Sequence, residues 1–378
     1  MEKPVNILYI ITDLNIGGTE KMLFETVTRL DKSRYNPTVV GLKKCGECAS
    51  RLRDSGVEVH VMDIYRLGVL FSPFLIPAAL FRIRRIAKDS GARIVHTYLF
   101  QANIAARLAF LAGRRPLIVS SIRVMEKQKT WHLFFERITS SLCDKLIVNS
   151  KTLKEFLVGK NIFPGNKVTV IYNGIDTSRI PKAEKNALCA KIGCSPDNIL
   201  IGSIGRLHKQ KGFEYLIKAA ALLVSRGEAE HLQFLIVGDG PDRKKLEKMA
   251  EKPGLKNKIV FTGWNTNTLE IISALDIFIL PSLWEGTPNV ILEAMACGKP
   301  VISTATGAVT ELIENNKEGI LVQPSNPEEL AEKIEWCVKN REKASAMGQK
   351  AREKAGKLFS MDKMISETDS FYRGLLHQ

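Results

Sequence analysis

The sequence predicts an α/β chain made of two doubly wound domains, and three observations carry that expectation. Its 378 residues are too many for one ordinary core, while 45% hydrophobic and 25% charged residues fall in the range of globular chains. Short apolar runs of buried-strand type alternate with segments of helical apolar spacing, the rhythm of a parallel sheet covered by helices. That rhythm occurs twice, with an aperiodic stretch between the two series.

In the first series, residues 5–11 read as a buried strand, 12–18 as a loop and 19–30 as an amphipathic helix with Met22, Leu23, Val27 and Leu30 inward. Gly17 and Gly18 allow a backbone to approach a ligand closely, or mark only a tight turn. Their spacing is not G-x-G-x-x-G, so no dinucleotide fingerprint is present. Strands follow at 37–42, 57–62, 94–96, 117–121 and 145–148. The helical segment 74–88 sets Arg82, Arg84, Arg85 and Lys88 beside Leu80, Phe81 and Ile83. Two readings stay open for it: a basic amphipathic element on an anionic membrane, or a layer helix with a solvated charged face.

From Tyr172 the turn signal Asn173-Gly174 and then Pro181 and Pro196 interrupt the pattern. A linker at 173–198 is therefore expected between a first domain, 1–172, and a second, 199–355. The second series places strands at 199–204, 233–237, 259–262, 277–280, 300–303 and 319–322. The tail, 356–378, reads as a helix whose Phe359, Met361, Met364, Phe371 and Tyr372 need a partner, and it is expected to cross back onto the first domain. Open α/β sheets bind ligands beyond the carboxyl ends of their strands, so two such domains imply a cleft between them.

Composition narrows the classes further. The longest apolar run, 67–81, is broken by Ser72, Pro73 and Pro77 and is too short to span a bilayer. Residues 1–6 lead directly into a strand without the pattern of a secretory signal. The seven cysteines are odd in number and scattered, which fits reduced thiols of a cytoplasmic protein. Cys45 and Cys48 form a lone C-x-x-C with no second cysteine or histidine pair, so no metal site is expected. Of the net charge of +15, residues 1–170 hold +13, from 27 Lys and Arg against 14 Asp and Glu; residues 171–378 hold +2, from 28 against 26. Such asymmetry points to an anionic surface or substrate met by the first domain: a bilayer face, a lipid-linked phosphate or nucleic acid.

Two stretches carry candidate chemistry. PSLWEGTPNVILEAMACG, 281–298, follows a strand and opens a helix, with Thr287 expected as N-cap and Pro288 at the first helical position. Helix N–H groups beside Glu285 and Glu293 suit an anionic, polyhydroxylated ligand, although two glutamates eight apart also arise by chance. GRLHKQKG, 205–212, lies between a strand and a helix. Arg206 offers a planar fork for phosphate oxygens and Lys211 a compact charge, together suited to a departing diphosphate; alone the stretch also reads as a solvated basic turn.

GRLHKQKG with VGDGP (237–241), FTGW (261–264), PSLWEGTPNVILEAMACGKPVIST (281–304) and EGILVQPSNPEELAEKI (318–334) resembles the second domain of the family-4 retaining glycosyltransferases. That family has two Rossmann-like domains in the GT-B fold. DLNIGGTEKML (13–23), IVHTYLFQAN (94–103), CDKLIVNS (143–150) and VIYNGID (170–176) agree with it less tightly. The resemblance implies that Arg206 and Lys211, with Gly205, bind the donor diphosphate, that Glu285 meets the hydroxyls of the transferred sugar and that Glu293 holds the nucleotide ribose. It further implies that the backbone of Gly286, Thr287, Pro288, Asn289 and Val290 cradles sugar and phosphate, that Gly17 and Gly18 close on the diphosphate, and that Gly263 and Trp264 lie near the base. Many members carry His-x-His where this chain has His96-Thr97-Tyr98, so His96 or Tyr98 is expected to face the donor sugar. The usual glycine and glutamate after the strand at Pro300 are loosened to Gly307-Ala308-Val309-Thr310-Glu311.

The implied activity is metal-independent transfer, without a further cofactor, from a nucleotide-diphosphate sugar, with UDP the commonest. Its acceptor would be a saccharide or a lipid-linked anion in cell-envelope polysaccharide or glycolipid synthesis. The implied location is the cytoplasm, or the inner face of the membrane through the basic first domain. A nucleotide-sugar epimerase of the same fold is the alternative. A basic nucleic-acid-binding protein fits less well, since no aromatic-plus-basic module of recognisable kind is present and no nucleic acid partner is expected.

Overall fold

The computed structural model describes residues 3–15, 17–43, 45–64, 75–113, 115–124, 130–265 and 267–377. Phe74, residues 67–73 of the apolar run and Ile16 of the glycine loop lie outside the described residues. The chain forms two compact units, Met1–Asn173 with Met364–Gln378, and Gly174–Lys363. No helix among the described residues is long and apolar enough to cross a membrane.

The first unit runs β1 (Val5–Ile11), α1 (Gly18–Arg29), β2 (Tyr35–Gly41), α2 (Glu47–Asp54), β3 (Glu58–Val61), α3 (Leu75–Asp89), β4 (Ile94–Tyr98), α4 (Phe100–Ala109), β5 (Leu117–Ile122), α5 (Thr130–Ile138), β6 (Lys145–Val148), α6 (Lys151–Gly159) and β7 (Val168–Val170). The strands are parallel in the order β3-β2-β1-β4-β5-β6-β7. The periodicity indicates six strands here; the seventh, β7, is a three-residue edge strand whose apolar run is broken by Thr169. Right-handed crossovers place α3 to α6 on one face of this sheet and α1 and α2 on the other. Accordingly Leu8, Ile10, Val95 and Ile118 form one core with Ile83 of α3 and Ala106 of α4.

The second unit runs α7 (Lys185–Ile192), β8 (Ile199–Ile204), α8 (Phe213–Ser225), β9 (Leu232–Val237), α9 (Arg243–Ala250), β10 (Ile259–Gly263), α10 (Thr268–Ala274), β11 (Ile277–Leu280), α11 (Asn289–Ala296), β12 (Val301–Thr304), α12 (Val309–Leu312), β13 (Ile320–Val322), α13 (Pro327–Lys339) and α14 (Arg341–Leu358), after which α15 (Met361–Leu376) leads into the first unit. Its six strands are parallel in the order β10-β9-β8-β11-β12-β13. The stretch expected as linker contains α7, where Lys185 Nζ donates to Asp276 Oδ2 at 2.7 Å. Cys189 is the one buried side chain of α7, so no apolar period announces it.

The apolar tail packs as its pattern requires. Tyr372 of α15 is fully buried on the sheet of the first unit, its hydroxyl 2.5 Å from His96 Nδ1 and 3.2 Å from the Tyr9 hydroxyl. Tyr35 Oη donates to Asp369 Oδ1 at 2.8 Å beside it. On the opposite face α4 and α5 enclose a polar cluster. Arg107 is fully buried and donates from Nη1 to Glu136 Oε2 at 2.6 Å and to Thr139 Oγ1 at 3.0 Å. Asn103 Nδ2 donates to Glu136 Oε1 at 3.0 Å, and Thr97 Oγ1 donates to Asn103 Oδ1 at 2.7 Å.

Removing one member of a buried ion pair strands the other charge, whereas replacing both by apolar groups does not. Arg107→Met is therefore expected to destabilise the protein by about 3–5 kcal/mol in urea unfolding, with Arg107→Met/Glu136→Met recovering most of the loss.

Candidate active site

In each sheet, the connections that follow two neighbouring parallel strands run in opposite directions at one place, after β1 and β4 in the first unit and after β8 and β11 in the second. The loops at such a point splay apart and open a crevice at the strands' carboxyl ends. The loop after β8 holds Arg206 and Lys211 and the loop after β11 holds Glu285, so the second unit brings both candidate stretches to its own switch point.

These two loops are joined directly. The Leu283 N–H donates to the Gln210 carbonyl at 2.7 Å, and Gln210 Nε2 donates to the Trp284 carbonyl at 3.0 Å. Gly212 lies at φ +63°, and a Cβ there would stand 2.0 Å from the Pro281 carbonyl oxygen, so only glycine lets the loops come this close. Across the join, Lys211 Nζ donates to Glu285 Oε1 at 2.6 Å. Ser282 Oγ donates to the same oxygen at 2.6 Å. The Glu285 side chain is 6% exposed and that of Lys211 19%, whereas Arg206 is exposed. Lys211 therefore pairs with Glu285 in this structure, while Arg206 is turned to solvent.

Three more strand ends close around this pair. The Gly205 N–H donates to the Val237 carbonyl at 3.0 Å, and the Gly238 N–H to the Gly263 carbonyl at 2.8 Å. Gly263 is buried at the end of β10 and the next residue, Trp264, is exposed. From the end of β12, the Ala308 N–H donates to the Gly286 carbonyl at 3.0 Å. Gly307 at φ +54° would place a Cβ 2.1 Å from the Glu285 carbonyl oxygen. The loosened segment after β12 thus retains the glycine on which the Glu285 loop rests.

The helix that follows begins one residue later than the sequence indicates. Pro288, at φ −75° and ψ 112°, is the extended N-cap residue and Asn289 the first helical one, so Thr287 is not the cap. The cause is local: a residue before proline is held in the extended region, and here proline itself also stays extended before the helix turns in. Thr287 is buried, and Asn289 and Val290 form the first turn. Glu293 is buried one turn further on and accepts a hydrogen bond from Thr268 Oγ1 at 3.1 Å. Charge patterns did not reveal Ser282, Gln210 or Thr268; they are neutral residues whose contacts arise from loop packing.

At the switch point of the first unit, Gly17 precedes α1 with extended backbone at φ −163°, and Gly18 opens the helix. His96 and Tyr98 near the end of β4 are both buried, their rings stacked at 4.6 Å. Both His96 ring nitrogens are engaged, Nδ1 with the Tyr372 hydroxyl and Nε2 with Ser121 Oγ at 2.8 Å. The Arg123 guanidinium lies 5.1 Å from the centre of the Tyr98 ring and donates to Asn173 Oδ1 at 2.6 Å. Burial, with Arg123 adding to it, holds His96 well below the usual histidine range, and burial raises the Tyr98 phenol.

Residues 16–179 match the family described as Glycosyltransferase Family 4, and residues 185–354 match Glycosyl transferases group 1. A glycosyltransferase of Methanocaldococcus jannaschii is 28% identical, with 90% of this chain and 96% of the relative covered. The UDP-Gal:alpha-D-GlcNAc-diphosphoundecaprenol alpha-1,3-galactosyltransferase of Escherichia coli is 27% identical, with 82% and 81% covered. Among solved structures, Anabaena HepE in complex with UDP-glucose superposes with a TM-score of 0.85 at 22% identity, over 98% of this chain and 99% of that one, a likeness of fold. The chain belongs to the family-4 glycosyltransferases. It is accordingly a transferase of sugars, built on the GT-B fold expected from its motifs.

Two outcomes follow from this geometry. Gly307→Ala, strained in φ and driven onto the Glu285 carbonyl, is expected to cost about 2 kcal/mol or more in chemical denaturation. For His96 the folded state disfavours the proton, so the unfolded chain binds more protons below its own value of about 6.5. Wild-type stability should therefore fall relative to His96→Gln as pH drops from about 6.5 to 5, by up to about 1.4 kcal/mol per pH unit, and run parallel to it above pH 7.

Proposed function

We propose that the chain transfers a sugar from a UDP-sugar, with retention at the anomeric carbon, to a saccharide or lipid-linked acceptor of the cell envelope. The observation that supports this most is the placement of Arg206, Lys211 and Glu285 together at the β8/β11 switch point. A diphosphate there meets the exposed fork of Arg206, the Lys211 ammonium and the first-turn N–H groups of α11, all of which favour negative charge. Glu285, held by Ser282, is assigned to the hydroxyls of the sugar. Glu293, one turn into α11, is assigned to the ribose, and Gly263 with Trp264 to the base. Gly205 and the backbone from Gly286 to Val290 are assigned to the diphosphate and sugar. Roles for Gly17, Gly18, His96 and Tyr98 rest on the family resemblance.

In the step itself, the acceptor oxygen bonds to the anomeric carbon on the face from which the diphosphate leaves. The bond from that carbon to the phosphate oxygen breaks with its electron pair on the diphosphate. The acceptor proton passes to a phosphate oxygen, and Arg206 and Lys211 meet the charge that develops there. The support for UDP and for a lipid-linked or polysaccharide acceptor comes from relatives: HepE was solved with UDP-glucose, and the Escherichia coli relative is named for a UDP-galactose donor and a diphosphoundecaprenol acceptor. The excess of +13 in residues 1–170 fits an anionic acceptor, and a peripheral position on an anionic membrane is assigned to the same excess.

Arg206→Ala removes an exposed side chain and is expected to leave the fold intact. It is expected to lower kcat/KM by roughly 10²–10³, as does loss of one donor to developing charge. Turnover of a UDP-sugar by Arg206→Ala at the wild-type rate, under single-turnover conditions, rules the assignment out.

A further inference from the structure

Helix α5 is amphipathic in the reverse sense. Its two buried side chains are polar, with Leu133 partly buried beside them: Glu136 sits in the cluster with Arg107 and Asn103, and His132 stacks on Phe100 at 3.8 Å. Most of its outward positions are apolar. Trp131, Phe134, Phe135 and Ile138, 54%, 59%, 41% and 53% exposed, follow the i, i+3, i+4, i+7 spacing of one helical face. The side that would ordinarily be solvated is thus an aromatic stripe.

The same helical layer exposes further apolar side chains and a set of cations. Helix α4 packs on both α3 and α5, and the chain just beyond it exposes Leu111, while α3 exposes Phe81. Arg84 Nη2 of α3 donates to the Ala112 carbonyl at 2.7 Å, which brings the basic helix beside Leu111. Arg82, Arg84, Arg85 and Lys88 are exposed on α3 against one carboxylate, Asp89, and Arg137 is exposed on α5, whose own acid is buried. Aromatic and aliphatic side chains on one face, flanked by arginine and lysine, match the chemistry of an anionic bilayer, whose headgroups attract the cations and whose acyl boundary takes the rings. A second copy of this chain would bring like charges together around the stripe, which disfavours self-association.

We propose that the outward face of α5, with the cations of α3 on the far side of α4, docks the first unit on an anionic lipid bilayer. This rests on the membrane reading above and assigns it a surface, moving the apolar anchor from α3 to α5. The test is flotation of the full chain at low salt with vesicles of equal parts phosphatidylglycerol and phosphatidylcholine, and with phosphatidylcholine alone. Wild type is expected to float with the anionic vesicles, Phe134→Ser/Ile138→Ser to lose at least about tenfold in partitioning, and Phe134→Leu/Ile138→Leu to retain it. Thermal stabilisation of each variant by UDP-glucose reports folding and donor binding separately; its loss in wild type counts against the UDP-sugar reading, not against docking. Wild-type flotation by the serine variant overturns the α5 assignment, and if Arg82→Glu/Lys88→Glu then fails to float, docking belongs to α3. Absence of wild-type flotation overturns both, as does a dimer that the serine variant dissociates without any flotation.

Discussion

A carboxylate out of water is tolerated when it is both paired and hydrogen-bonded, and Glu285 in the second unit meets both conditions through one oxygen, held by Lys211 and Ser282. Much of that unit's loop structure is arranged to make this possible. Lys211 and Glu285 are 74 residues apart and meet because β8 and β11 are neighbours although two strands intervene in sequence. Their loops could not close to hydrogen-bonding distance with a side chain at Gly212, nor could the β12 loop support Glu285 with one at Gly307. The glycines, the strand order and the ion pair are thus one constraint seen at three levels.

The strand-and-helix rhythm was legible because parallel strands buried on both faces are continuous apolar runs, and all six in the second unit read that way. What escaped lacked a continuous apolar run: β7, interrupted by Thr169, and α7 with one buried side chain. Within the site, residue types pointed to phosphate and hydroxyl recognition, but not to the partner each charge has. Arg206 and Lys211 look alike in sequence, yet one is exposed and the other is committed to Glu285, a difference set by loop geometry alone. The helix cap shifted from Thr287 to Pro288 for a similar reason, since both residues tolerate extended backbone and only ψ of the proline decides where the helix begins.

The first unit shows the reverse problem. Its sequence between 130 and 138 carries an apolar stripe of ordinary helical spacing, which by default would be turned to the core. Arg107 overrides that default. A fully buried guanidinium needs a carboxylate, Glu136 supplies it, and a helix that turns Glu136 inward must turn Phe134, Phe135 and Ile138 outward. The exposed aromatic face is therefore tied to the buried ion pair. On the other side of the same sheet, the hydrogen bonds of His96 to Tyr372 and Ser121 join α15 to β4 and β5.

Under the proposed chemistry, Lys211 has two claims on its charge. At an effective dielectric of 20, two unit charges 4 Å apart attract by about 4 kcal/mol, and a diphosphate offers more than one such charge where Glu285 offers one. A donor entering between the β8 and β11 loops can therefore draw Lys211 toward its phosphates, and the exposed Arg206 can join. Glu285 does not lose all support when this happens, because Ser282 still donates to it. It is left as a fixed acceptor beside the sugar, with lone pairs free for hydroxyl donors and no cation saturating them. On this account the ion pair is the resting state of a recognition site: the phosphates take up the lysine, and the carboxylate it releases is the group that meets the sugar.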